Sequence, residues 1–379
     1  MADSADSADL RVDRQELADV ARRLLEAAST VESVRASAEA AGAWLPVWND
    51  IVTADWTAIA IPEELGGAGA GFAELAVVLV ELGRALAPAP YLGSAVLGTS
   101  GVLFGGTPAQ REYWLPRLAS GESIATAALT GFSGRLGSAE AHPELRPHAG
   151  GWRLAGVADY VPDLPAADVV IVAADLQGEP ALVLVRPADY DELVVEPTPM
   201  FDPSRRFGRL RADGACLEPM ALMARGDDAV TAIEAMITWG AAALACDSLG
   251  VAERVLDSTV TYVGQRVQFN RPIGTFQAVK HRCADMFLAV ASSRVAVQEA
   301  ARQVSANVDQ AGAAAALAKA YAGDAAAQVA GDGVQLHGGI GFTWEHDSHL
   351  YLKRAKLNQA LLGSSRWHRR RLADWWLPR

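Results

Sequence analysis

Cysteine is scarce here, and positive charge is outnumbered. Cys216, Cys246 and Cys283 are three in 379 residues, odd in number and widely spaced, which argues against a disulfide framework and suits a reducing compartment. Forty-five acidic residues against 33 basic ones leave a net charge of −12. That balance argues against generic nucleic-acid binding, and an anionic ligand needs a local basic patch. No apolar run reaches spanning length, and the N-terminus lacks a charged-then-apolar leader pattern, so the expectation is a cytosolic protein without a membrane span. What the chain does have is apolar bulk: 51% hydrophobic residues, enough for a core divided among two or three domains.

The texture changes twice along the chain. Residues 1–9 are small and polar and are expected as a disordered lead-in. Residues 10–120 are helical in pattern, with amphipathic stretches at Glu16–Ala28 and Phe72–Leu86 around a glycine-rich turn, Ile61-Pro62-Glu63-Glu64-Leu65-Gly66-Gly67. Residues 121–224 hold short β-prone runs at Ile124–Leu129, Trp152–Leu154, Val169–Ala173, Ala181–Val185 and Phe207–Leu210, which predict a mostly antiparallel β domain. Residues 225–379 return to long helices. Val279, Cys283, Met286, Val290, Val297 and Val304 recur at bundle spacing, and the alanine-rich Ala311–Ala330 keeps helical spacing. The expected fold is α+β and multi-domain: helical domain, central antiparallel β domain, C-terminal four-helix bundle.

Two C-terminal segments carry the chemistry. The first is Arg266-Val267-Gln268-Phe269-Asn270-Arg271-Pro272-Ile273-Gly274-Thr275-Phe276-Gln277. The second runs from Gln335-Leu336-His337-Gly338-Gly339 to Gly363-Ser364. An arginine such as Arg266 offers a forked, charge-assisted contact to phosphate, and Gly338-Gly339 lets main chain approach a ligand with no Cβ in the way. With the Pro62-Glu63 turn and Glu81-Leu82-Gly83-Arg84, these segments resemble the acyl-CoA dehydrogenase family, FAD enzymes that place an α,β double bond in acyl-CoA thioesters. The resemblance implies that Arg266, Phe269, Phe276, Gln277, Gln335, Leu336, His337, Gly338 and Gly339 reach FAD seated mainly in a neighbouring subunit. It further implies that Leu129, Thr130 and Ser364 contact flavin, and that electrons pass to an electron-transferring flavoprotein.

The departures from the family pattern are as informative. Asn270 stands where a glycine is usual, Gly131-Phe132-Ser133 replaces a Glu-Pro run, and Pro162 replaces a flavin-side threonine. Dehydrogenation needs a carboxylate over the thioester Cα. The resemblance places it at one of two positions, here Leu362 and Gly240, and neither residue accepts a proton. The arginine expected after the second position is Ala241. Asp247 lies two helical turns beyond Gly240, about 10 Å along the axis, and is the candidate base. Glu345-His346-Asp347-Ser348-His349 lacks further ligand spacing, so no metal is expected. Arg366-Trp367-His368-Arg369-Arg370-Arg371 suits a helix C-terminus or an acidic partner, and Trp375 and Trp376 suit packing anchors.

Three readings follow. The chain is a subunit of an α2β2 acyl-CoA dehydrogenase acting on a bulky or steroid CoA ester, completing the FAD site of a base-bearing partner. Alternatively it is a self-sufficient homotetramer using Asp247, or a flavin-free binding or scaffolding protein.

Overall fold

The alternation of apolar residues fixes which face of each element is buried, and the faces fix the layers. The computed structural model describes residues 2–40, 42–130 and 142–377. The N-terminal region is helical: α1 (Ala2–Ala28), α2 (Val31–Glu39), α3 (Leu45–Thr53), α4 (Phe72–Arg84), a π-helical turn Leu92–Gly98 leading into α5 (Thr99–Gly105), and α6 (Pro108–Ala119). Ala2–Asp9, expected as part of a disordered lead-in, fall within the range of α1.

The central region carries β1 (Ala125–Ala128), β2 (Glu144–His148), β3 (Gly151–Pro162), β4 (Val169–Leu176), β5 (Glu179–Val185), β6 (Leu193–Thr198), β7 (Phe207–Leu217) and β8 (Leu222–Arg225). They form one sheet in the order β6-β7-β3-β2-β4-β5-β8, with β1 beside β4. β1 and β2 both run parallel to β4, while the other described pairings of this sheet are antiparallel. The sheet is therefore mixed, with an antiparallel majority. In β4 the alternation sorts two cores: Val169, Ile171 and Ala173 join the core shared with the helices, while Val170, Val172 and Ala174 join the core of the sheet's other face.

The chain then returns to helices: α7 (Asp227–Gln265), a hairpin of β9 (Val267–Gln268) and β10 (Arg271–Pro272), α8 (Gln277–Ser305), α9 (Ala311–His337), α10 (Ser348–Ala360) and α11 (Ser365–Trp376). Among the described residues α7 is long and apolar enough to cross a membrane, contrary to the expectation that no run reaches that length. However, 67% of its apolar stretch is buried inside the protein. Its alanines and glycines let α4 come close: a Cβ at Gly250 would lie 1.8 Å from the Val80 carbonyl oxygen. α7 is thus the spine of the molecule, touching α4, α8, α9 and α10.

α11 corrects two expectations. The arginine run lies in its first half rather than at a helix C-terminus, where Arg369 pairs with Asp324 at 2.5 Å and Arg371 pairs with Glu234. Trp375 is half exposed but lies against Gly312 of α9, whereas Trp376 is exposed rather than a packing anchor.

Candidate functional site

A cleft of about 540 Å³ opens between the sheet and the bundle. Its sheet wall is made by the ends of β1 and β3, through Leu129, Thr130, Tyr160 and Pro162, with Met200 and Phe207 beside them. Its bundle wall is the end of α10 and the turn into α11, through Leu357, Leu361, Leu362, Gly363, Ser364 and Trp367. Among the described residues, none lining it carries a charge. Leu129 is buried, and the Thr130 hydroxyl donates to the Asp159 carbonyl at 2.6 Å. Tyr160 stands at an irregularity in the β3–β7 register, with φ +53°, and is half exposed. Pro162 lies inside the ladder opposite Phe207, and its carbonyl accepts from Thr126 at 2.5 Å. It brings neither an N–H nor a hydroxyl to the cleft. The altered segment Gly131-Phe132-Ser133 lies outside the described residues.

The two positions where a base was sought meet in space. A Cβ at Gly240 would come within 2.3 Å of Leu362 Cδ1 and 3.0 Å of Leu97 Cδ2. The Leu362 side chain thus occupies the volume that a side chain on α7 would need, and it is itself 6% exposed. The spot is filled by hydrocarbon, and neither position supplies a proton acceptor.

Asp247 is elsewhere. It is 3% exposed and does not line the cleft. Arg205 donates to its Oδ2 at 2.8 Å and Arg354 at 3.0 Å, while Asn358 donates to Oδ1 at 2.6 Å. Arg354 is in turn held by Asp202 at 3.1 Å, the Ser204 hydroxyl at 3.0 Å and the Ala87 carbonyl at 3.3 Å. The network ties helical domain, sheet and bundle together. Three donors hold the Asp247 carboxylate, two guanidiniums on Oδ2 and one amide on Oδ1, and the side chain is buried away from the cleft.

The residues read as a cofactor edge gather on the outside. Arg266 ends α7, its backbone fixed by the Tyr262 carbonyl and the Ile273 N–H, each at 2.8 Å. Its side chain is exposed, and among the described residues its guanidinium has no hydrogen-bond or ion-pair partner. The β9–β10 hairpin turns at Phe269 and Asn270, with φ +55° and +63°. Asparagine tolerates that conformation, which accounts for its standing where glycine is usual. Phe269 is 85% exposed, packs edge-on to Phe276 at 6.0 Å, and strains its backbone without burying itself. Gln277 and Gln335 are exposed at facing helix ends, with Leu336 half-buried beside them. Burial holds the His337 imidazole below its ordinary value. Its ring stacks on Tyr262 at 4.4 Å, and its Nδ1 lies 2.7 Å from the Gly333 carbonyl oxygen. Gly338 ends α9 with φ +63°. Gly339 has an ordinary φ, and a Cβ there would meet nothing within 4 Å.

This edge fits a flavin dinucleotide: an unpaired forked cation, amide side chains, exposed aromatics and a bare stretch of main chain. Among the described residues, the lining of the apolar cleft holds no group that would neutralise the diphosphate. Ser364, expected at flavin, accepts from the Trp367 N–H at 3.3 Å as the N-cap of α11 while facing the cleft. Of the expected histidine pair, His346 Nδ1 sits 2.6 Å from the Ser348 hydroxyl, and the His349 ring packs edge-on to Trp344. Sequence reasoning missed Met200, Phe207, Leu357 and Trp367 of the cleft, since nothing local marks a wall built from four separate segments.

Residues 12–122 match the family model described as acyl-CoA dehydrogenase, N-terminal domain, and residues 230–377 match acyl-CoA dehydrogenase, C-terminal domain. The chain is 34% identical over 362 residues to acyl-CoA dehydrogenase IpdE2 of Mycolicibacterium smegmatis, covering 95% of this chain and 97% of that one. A chain of the ChsE4-ChsE5 complex from Mycobacterium tuberculosis superposes with a TM-score of 0.87 at 31% identity, over 97% of this chain and 98% of that one. A chain of the steroid ACAD Tcur3481-Tcur3483 gives 0.86 at 31% identity, over 96% and 98%.

Proposed function

This chain belongs to the acyl-CoA dehydrogenase family, and we propose that it serves there as the subunit that completes the FAD site of a base-bearing partner. One observation carries the reading: among the described residues the internal cleft has no base, while the external edge is exposed and Arg266 has no partner. Leu362 and Gly240 fill each other's space, so the chemistry of proton removal must come from elsewhere. Gly339 is required by neither backbone conformation nor packing inside the chain, and a ligand approaching from outside supplies the missing reason for it.

FAD, when bound, supplies the hydride acceptor for α,β-dehydrogenation of a CoA thioester. This chain's part is binding and orientation. Arg266 would neutralise phosphate, Gln277 and Gln335 would donate to the dinucleotide, Gly338-Gly339 would offer it bare main chain, and Phe269 and Phe276 would shield it from water. The partner seats the flavin and contributes the carboxylate. The likeness to the ChsE4-ChsE5 complex supports a heteromeric α2β2 assembly, and the likeness to a steroid ACAD supports a bulky, ring-bearing acyl group as substrate class. An electron-transferring flavoprotein is the acceptor we assign. A cytosolic setting agrees with three free cysteines.

The test is bound FAD per chain, measured first on this protein alone and then after co-expression with a candidate partner. Little FAD alone and stoichiometric FAD in the complex is the expected result. Arg266→Ala should then weaken FAD retention by the complex roughly ten- to a hundredfold, the loss of a charge-assisted contact. Near-stoichiometric FAD on the isolated chain, bleached by an acyl-CoA, would overturn the reading in favour of a homomeric enzyme.

A further inference from the structure

Lys319 is the single charge in the alanine-rich run 311–323, and it is 0% exposed. A buried ammonium is normally paired with an acid. Here it donates instead to two main-chain carbonyls, Gln359 at 3.4 Å and Gly363 at 3.2 Å. The nearest acid, Asp324, is occupied by Gln359, Ser365 and Arg369 at 2.7, 2.6 and 2.5 Å. The two carbonyls bracket the turn between α10 and α11. Between them the Leu362 carbonyl lies 3.0 Å from His368 Nε2, which must donate because a carbonyl only accepts.

That turn is strained. Leu362 has φ +51° and Gly363 +98°, and a branched-chain residue in the left-handed region persists only where its surroundings hold it. The strain has a consequence. It aims Leu362 at Gly240, puts Ser364 at the N-cap of α11, and makes the whole turn the bundle wall of the cleft. The carbonyls at the end of α10 are the negative end of that helix, so a cation there is also favoured by the helix dipole.

We propose that Lys319 is a positioning residue: reaching across from α9, it clamps the turn 361–364 in its left-handed conformation and so sets the bundle wall of the cleft. The assignment stands on the turn's geometry and does not require that the chain bind flavin.

The test is amide hydrogen exchange by mass spectrometry on the full chain, wild type against Lys319→Met, which keeps length and shape but removes the donor. In the variant, the amides protected by this turn, Leu361, Trp367 and His368, should exchange at least about tenfold faster. Amides in the middle of α7 and α9 should keep their wild-type rates. A general loosening across α9 to α11 would overturn the proposal, as would an unchanged turn. Should Lys319→Met fail to fold, Lys319→Gln retains N–H donors on a shorter arm and should show a smaller acceleration at the same amides. Failure of both to fold would make Lys319 a core-stability residue and end the proposal. In an assembled complex the Met variant should also lose FAD. Faster exchange with FAD fully retained would count against the flavin role of Ser364 and leave the clamp standing.

Discussion

The cleft between sheet and bundle and the edge formed by the ends of α7 and α9 differ in whether their residues are accounted for within the chain. In the cleft, Leu362 fills the space over Gly240 and Thr130 bonds to Asp159, while Asp247, away from the cleft lining, is held by Arg205, Arg354 and Asn358. On the edge, Arg266 is unpaired, Phe269 is strained and exposed, and Gly339 faces open space. Buried groups satisfied by their own chain stabilise the fold. Exposed groups that add nothing to the fold are explained by something that docks on them. On the proposed reading, one half of a shared site has been absorbed into the core and the other half is presented outward.

The largest expected effect comes from cutting the buried side of this contrast. Asp247→Asn leaves two buried guanidiniums undercompensated and should destabilise the fold by about 3–5 kcal/mol, read by denaturant unfolding. Turnover of an assembled complex at a temperature where the variant is folded should stay near wild type. A collapse of turnover with FAD retained would return Asp247 to the chemistry and erase the contrast.

A second effect is linked to pH. Burial holds the His368 imidazole down to about 3 and the Lys319 ammonium down to about 8. Both groups are therefore less protonated in the folded chain than in the unfolded one across a window, and stability rises with pH there. For His368 the contribution is fully present above about pH 6.5 and is lost as pH falls toward 3. For Lys319 stability is gained between about pH 8 and 10.5. The acid limb belongs to His368 alone and should amount to at most about 5 kcal/mol, and His368→Gln should flatten it in a melting-temperature profile. A unchanged acid limb would mean that His368 is not the group held neutral behind the cleft wall.

Gly240→Ala sharpens the contrast at a single contact. Its methyl group meets Leu362, so the variant should lose about 1–3 kcal/mol by overpacking. Adding Leu362→Ala should restore much of that loss in a double-mutant cycle. Independent, additive losses would show that the two base positions do not share one space. The smallest effect belongs to the outer edge. Phe269→Ala should change the stability of the isolated chain by less than about 0.5 kcal/mol, while lowering FAD retention in the complex. A large stability loss in the isolated chain would mean that the edge serves the fold after all.

Local pattern revealed some of this and stopped where contacts became long-range. Strands with alternating or wholly apolar runs, such as β4 and β5, were visible in the sequence. β2, with the text Glu-Leu-Arg-Pro-His and one buried residue, was not, and neither were the sheet-edge strands β6 and β8. A polar strand declares itself only through its neighbours. Helical spacing placed Asp247 two turns from Gly240, but its partners Arg205 and Arg354 lie 42 and 107 positions away along the chain, beyond the reach of any local rule.

By itself the sequence determined which chemistry was open to this chain. Periodicity marked the main helices and strands, the two motif segments carried the family, and an apolar side chain at Leu362 or none at Gly240 cannot take a proton in any fold. Tertiary structure alone decided where each surviving group points: Arg266 outward, Asp247 into an ion network, Leu362 onto Gly240, Lys319 onto the turn. The reason is physical. Residue type sets what a group can donate, accept or pack, whereas burial and the identity of its neighbours are set only when distant segments meet.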